Sequence, residues 1–281
     1  MWPGARWQPR YDPELVKVGQ PSLTARGVAL ARSRLVRPHA PEGDPEAEQR
    51  LYLGLQPPLL AAARGSDHRW GTERRARRLA NIAARTAFLD DETLRAVTGG
   101  ADQVVIVGAG YDGRGLRFRQ RGVRFFEVDH PGTQADKRRR LGALGIPLDH
   151  ITFVECDLTA ERVEAALARA GQRDDRPSLF ICEGLVRYLD RVAVNRMLSG
   201  LRSRAARGSR LLVTVSETPG GDRRAARRLY LAAIGEPVRS SFAVGEISRV
   251  LAGAGWAIDR EVRRGEPGGR HRLLVAAIPT A

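Results

Sequence analysis

The sequence almost lacks lysine. Of its 47 basic residues only Lys17 and Lys137 are lysines, and the others are arginine. Together with abundant alanine and glycine, this is the pattern of a GC-rich coding sequence. It weakens the meaning of a net charge of +15, which would otherwise raise nucleic acid or an anionic membrane as partner. The arginines are spread along the whole chain, and phosphate binding needs a surface rather than a total, so a nucleic-acid partner is not expected. The local runs at Arg74–Arg78, Lys137–Arg140 and Arg223–Arg228 read as solvated helix faces. Cysteine is scarce as well. Cys156 and Cys182 stand without a CxxC partner or paired histidines, which excludes a disulfide scaffold, predicts no metal site and leaves both as core thiols. No apolar run approaches the roughly 20 residues of a membrane-spanning helix. The opening MWPGARWQPRYDPELVK lacks the apolar stretch of a secretory leader, so a cytoplasmic location without a membrane partner is expected.

A chain of 281 residues with 42% hydrophobic content can bury one substantial core. Residues 1–20 read as an irregular arm and residues 21–281 as a single domain. Ser22 is placed to cap a helix carrying Val28, Leu30, Ala31 and Leu35 and ending near Pro38. HAPEGDPEAE reads as a loop, EAEQRLYLGLQPPLLAA as a short helix broken by Pro57 and Pro58, and Arg69 to Val97 as one or two long helices. In the last of these Ala80, Ile82, Ala83, Ala87, Leu89 and Leu94 supply the apolar side. Residues 21–98 thus form a helical cap before the first strong strand.

From residue 99 strands and helices alternate. VVIVGAG, VRFFEVD, ITFVECDL, SLFICEG and SRLLVTVSE read as strands separated by helices, which predicts a parallel, doubly wound sheet. WAIDREV and RHRLLVAAI, joined by a glycine-rich turn, predict a closing hairpin and hence an antiparallel last strand. Residues 218–242 interrupt the rhythm and read as a lid insertion near the active edge.

Gly108, Gly110 and Gly113 complete a GxGxxG directly after an apolar strand, where bare backbone can approach a ligand and the next helix offers unpaired amides. A strand-to-helix turn without ligand has the same pattern. Glu127 and Asp129, about 20 residues further on, end the second strand, where an acid can accept from both ribose hydroxyls; capping of the next helix is the competing role of Asp129. Asp157 with Leu158 ends the third strand, where an acid can take an adenine amino group and an apolar neighbour the ring. Glu183 ends the fourth, where the strand order reverses. Repeated carboxylates suit the cationic amino acid of S-adenosylmethionine better than a pyrophosphate.

VVIVGAGYDGRGLRF, FFEVDHPGTQADKRRRL, ECDL and FICEGLVRYLD, in this order and spacing, resemble the leucine carboxyl methyltransferase family, and more narrowly its bacterial O-methyltransferases of polyketide and other natural-product pathways. PSLTARGVALARSR and IAARTAFLDD resemble its N-terminal segments, so the likeness runs over about residues 20 to 280. The resemblance implies a class I methyltransferase: a Rossmann-like, doubly wound, mostly parallel sheet with S-adenosyl-L-methionine as cofactor. It implies that Gly108, Ala109 and Gly110 form the cofactor loop, Asp129 holds ribose, Asp157 and Leu158 hold adenine, and Glu183 holds the methionine end. Arg85 in ARTAFLD matches the arginine that holds the cofactor carboxylate; a surface arginine is the alternative. Two departures stand out. Asp112-Gly113-Arg114 replaces the family's usual DTR, and Arg187 before Tyr188 stands where an apolar residue is usual.

The expected reaction is methyl transfer to a carboxylate or acidic hydroxyl of a small-molecule natural-product intermediate. A carboxylate is ionised at neutral pH and needs no general base, and none of the five histidines has an evident catalytic setting; His130 before Pro131 reads as structural. Arg187, Tyr188, Arg223, Arg224 and Tyr230 are the acceptor-pocket candidates. Three alternatives remain at this point: a peptide or protein carboxylate as acceptor, an NAD-dependent oxidoreductase, and a non-catalytic binding protein on the same fold.

Overall fold

The computed structural model describes residues 22–53, 55, 69–217, 238–240, 242–243, 245–264 and 271–279. The arm at residues 1–20, the Pro57–Pro58 break and most of the 218–242 insertion lie outside them.

Ser22 caps α1 (Leu23–Arg32), its Oγ accepting the Ala25 amide at 3.0 Å. The helix stops at Arg32, short of the Pro38 expected from the apolar period, because Ser33 turns its Oγ back onto the Leu30 carbonyl. Asp44 caps α2 (Pro45–Tyr52), with Pro45 in the first turn, so this helix begins inside the stretch expected to be a loop. A single long helix, α3 (Arg69–Thr98), follows. Of the apolar side read from the sequence, Ile82 and Leu89 are buried and Ala83 and Leu94 half-buried, whereas Ala80 and Ala87 are exposed; Thr86, Asp90, Thr93 and Val97 complete the buried face. The spacing is helical, but polar side chains occupy part of the buried face.

The core then alternates through β1 (Gln103–Val107), α4 (Arg114–Arg117), β2 (Arg124–Asp129), α5 (Pro131–Ala143), β3 (Ile151–Glu155) and α6 (Val163–Arg169). It continues through β4 (Ser178–Cys182), α7 (Arg191–Ser203), β5 (Arg210–Glu217), α8 (Glu246–Gly253), β6 (Trp256–Arg264) and β7 (His271–Pro279). The strands form one sheet in the order β3-β2-β1-β4-β5-β7-β6. The first five pair in parallel, and β7 lies antiparallel between β5 and β6 as the hairpin predicts.

Both faces of the sheet are covered, which explains its unbroken apolar strands. Val105, Val107, Phe126, Phe180 and Trp256 pack on one side; Val104, Ile106, Phe125, Ile181 and Leu89 pack on the other with the cap helices. Cys156 and Cys182 are both buried and free. Burial pushes the Cys156 thiol up to about 11 and the Cys182 thiol up to about 12, so neither is poised as a nucleophile. The order reverses between β1 and β4, so the ends of β1, β2, β3 and β4 open on one edge at the switch point.

Candidate functional site

The glycine turn leaves β1 with Gly108 at φ +70° and Gly110 at φ +52°, a backbone region that favours glycine. The space a Cβ would take is already claimed from above. At Gly108 it would lie 2.9 Å from a Leu185 methyl, and at Gly110 2.8 Å from the Ala25 Cβ of α1. Ala109 between them is buried. The third glycine serves helix packing: a Cβ at Gly113 would lie 2.3 Å from Glu48 of α2.

Asp129, half-buried at the end of β2, accepts from the Gly110 amide at 2.6 Å and the His130 amide at 2.7 Å. It is not the cap of α5. That position belongs to His130, whose Nδ1 accepts the Gly132 amide. Burial raises the Asp129 carboxyl above its ordinary value, against the two amides, which favour the ionised form. Glu127 takes a different part. It is buried and paired with Lys137 at 2.5 Å, leaving Asp129 as the acid at the open end of the strand. The Lys137–Arg140 run is therefore not simply a solvated face: Lys137 is 2% exposed, against 74% for Arg139.

Asp157 follows β3 and accepts the Thr159 amide at 2.9 Å and its hydroxyl at 2.6 Å. Despite partial burial, these bonds hold its carboxyl below the usual value. Leu158 is buried in the apolar cluster with Val128 and Val186.

Glu183, after β4, lies at the centre of an ion network that sequence reasoning missed. It contacts Arg32 of α1, Arg85 of α3 at 2.6 Å and Arg114 of α4 at 2.7 Å. Arg85 is thus a half-buried member of this network and not a surface arginine. Asp112 pairs with Arg114 at 2.5 Å and Arg32 at 3.2 Å; Asp90 pairs with Arg114 at 2.8 Å and Arg37 at 2.6 Å. Arg37 continues to Glu48 at 2.8 Å, which also binds Arg117. Burial alone would push Glu183 and Asp112 up. The adjacent guanidiniums overcome it, holding Glu183 well below the ordinary carboxylate range and Asp112 below its usual value.

This end of the site keeps unused hydrogen-bonding capacity. Arg85 Nε and Glu183 Oε1 face each other as an ion pair at 2.6 Å, while Arg32 Nε and Arg114 Nη2 lack a hydrogen-bond partner among the described residues. Guanidinium donors beside a carboxylate are the groups that the zwitterionic end of an amino acid would need, and a carboxylate such as Asp129 is what a diol would need.

Arg187 and Tyr188 lie in the short turn after β4, with the guanidinium 5.5 Å from the Tyr188 ring. Tyr188 Oη reaches Thr24 Oγ1 of α1 at 3.3 Å, and the Arg187 carbonyl accepts the Arg239 amide at 2.9 Å. The other acceptor candidates, Arg223, Arg224 and Tyr230, lie outside the described residues. Among the described residues there is no cluster of His, Cys, Asp or Glu able to hold a metal, and no helix long and apolar enough to cross a membrane.

A family model described as leucine carboxyl methyltransferase matches residues 48–202, more than half of the chain. The chain belongs to this family. Among similar curated proteins, a candidate S-adenosyl-L-methionine-dependent methyltransferase of Mycolicibacterium gilvum is 35% identical over 68% of this chain and 65% of its own length. Another candidate of the same description, from Mycobacteroides abscessus, is 30% identical over 86% of this chain and 85% of its own length. The chain thus spans just under two thirds of the first relative. Among solved structures, magnesium protoporphyrin IX methyltransferase from Synechocystis is 15% identical over 84% of this chain and 94% of its own, with a TM-score of 0.49.

The curated relatives of this chain carry the description S-adenosyl-L-methionine-dependent methyltransferase, and the fold is the mostly parallel α/β sheet described above. The family description is that of a methyltransferase and not of an NAD-dependent oxidoreductase.

Proposed function

We propose that this leucine carboxyl methyltransferase family member transfers the methyl group to an oxygen, a carboxylate or an acidic hydroxyl, of a small-molecule natural-product intermediate. We read the chain as one cytoplasmic domain, with residues 21–98 as a cap over the 99–281 core and 218–242 as a lid. In this reading Gly108, Ala109 and Gly110 form the cofactor turn, Asp129 takes the ribose hydroxyls, and Asp157 with Leu158 takes adenine. Arg85 and Glu183 exchange part of their mutual contact for the carboxylate and ammonium of the methionine end. The bound cofactor supplies a methyl carbon already activated by its sulfonium. The task of the protein is alignment and exclusion of water, and α1 over the glycine turn suits both.

The observation that favours an acidic acceptor is Arg187. It is half-buried at the active edge beside Tyr188, and its Nε is buried with no hydrogen-bond partner among the described residues. A guanidinium with an unspent donor recognises an oxyanion. Arg223, Arg224 and Tyr230 are proposed to complete the pocket. Arg187→Ala is expected to raise the acceptor KM by about tenfold, the loss of one charged hydrogen bond, with affinity for S-adenosylhomocysteine nearly constant. The acceptor is found by labelled methyl transfer into extracts followed by mass analysis of the product. A neutral N-methylated or C-methylated product, or an unchanged KM in Arg187→Ala, contradicts the acidic O-acceptor.

A further inference from the structure

Lysine occurs twice in a chain that uses arginine at every other basic position, and of the two only Lys137 lies among the described residues. It is one of the most deeply buried side chains of the core. From α5 its Nζ donates to Glu127 Oε2 on β2 at 2.5 Å and to the Asp112 carbonyl in the glycine turn at 2.5 Å. Gln134, one helical turn earlier, donates to the Glu127 carbonyl at 2.5 Å. The two anchor points flank the cofactor turn. Glu127 stands two residues before Asp129, and Asp112 two residues after Gly110.

Charge neutralisation alone would not need a lysine. The same composition supplies arginine against Glu48, Asp90, Asp112 and Glu183. What distinguishes position 137 is a carboxylate and a backbone carbonyl converging on one point. An ammonium is a compact charge with three rotatable donors, whereas a guanidinium is a wide planar fork matched to carboxylates side-on. The Asp112 carbonyl fixed by Lys137 belongs to the residue whose carboxylate joins Arg114 and Arg32, and these in turn hold Glu183. Lys137 therefore ties the Asp129 end of the site to the Glu183 end through a single atom.

We propose that Lys137 is a positioning residue for the cofactor: its ammonium sets the curvature of the 108–113 turn by holding the Asp112 carbonyl, beyond neutralising Glu127. This rests on the reading that the glycine turn and Asp129 hold the cofactor.

The two functions of the ammonium separate in a double substitution, read by the unfolding midpoint without ligand and by calorimetric affinity for S-adenosylhomocysteine. Lys137→Met is expected to lower both, since it strands a buried carboxylate. Lys137→Met combined with Glu127→Gln is expected to regain the midpoint while affinity stays about tenfold below that of the parent, because the carbonyl still lacks its charged donor. Recovery of both overturns the proposal and reduces Lys137 to a counterion. Should Lys137→Met fail to fold, Lys137→Arg decides. It retains the charge, and it is expected to fold and to bind S-adenosylhomocysteine several-fold more weakly; parental affinity overturns the need for an ammonium. Asp129→Ala in the same series tests the underlying reading separately, since unchanged affinity there removes the cofactor turn assignment whatever Lys137 does.

Discussion

Replacing Arg114 by methionine is expected to lower the unfolding free energy by about 3–5 kcal/mol, the range for removing one partner from a buried ion pair. Arg114 is fully buried, and its guanidinium serves Asp90, Asp112 and Glu183 at once. Methionine fills a similar volume but leaves three buried carboxylates to share Arg32, Arg37 and Arg85. Arg139→Met on α5 is the control. Arg139 is largely exposed, and its pair with Asp136 is one of several that Asp136 makes, so the change is expected to stay within about 1 kcal/mol. Urea unfolding at neutral pH measures both. The acid limb adds a second readout. Glu183 and Asp112 have folded-state values below their ordinary ones, so the stability they contribute is present above the ordinary carboxylate range and is lost as pH falls through their depressed values. Arg114→Met removes a cause of that depression and should flatten the acid limb.

The second large effect is on the cofactor. Asp129→Ala is expected to weaken S-adenosylhomocysteine by about 1–3 kcal/mol, roughly one to two orders of magnitude in affinity, because in the proposed site the ribose hydroxyls lose their charged acceptor. The Asp129 carboxyl is raised by burial, so ionising it costs the unliganded fold some stability as pH rises through that value. Ribose hydroxyls donate to the ionised form. Affinity is therefore expected to rise with pH through the raised value and then level off, and this slope should vanish in Asp129→Ala. A slope that persists in the variant would assign it to Glu127, the other raised carboxyl on β2.

The sheet was legible in the sequence because each strand is a short apolar run bounded by turn residues, and because two-sided burial leaves no competing pattern. Legible also was where three acids fall on the sheet: Asp129 closes β2, Asp157 comes just after β3 and Glu183 directly after β4. The ion network was not. Its partners are distant in sequence, with Arg37 and Asp90 53 positions apart and Arg32 and Glu183 151 apart, and no local period links them. Arginine is so common in this chain that Arg32, Arg37 and Arg117 do not stand out by type. One clue was available: Arg32 falls four residues after Val28 and next to Ala31, on the face expected to be buried. Polar residues on the inner face of α3 were hidden similarly, since an alanine-rich helix offers an apolar stripe at more than one angle. Gly113, the last glycine of the pattern, lies against Glu48, the packing role that the third position of such a turn commonly takes.

The central claim is that the edge formed by the glycine turn, Asp129, Asp157 and the Glu183 network holds S-adenosylmethionine. Calorimetric titration of the folded full chain with S-adenosylmethionine and with S-adenosylhomocysteine tests it most directly. Saturable one-site binding of both is predicted, weakened in Asp129→Ala; a folded sample that takes up neither would contradict the account.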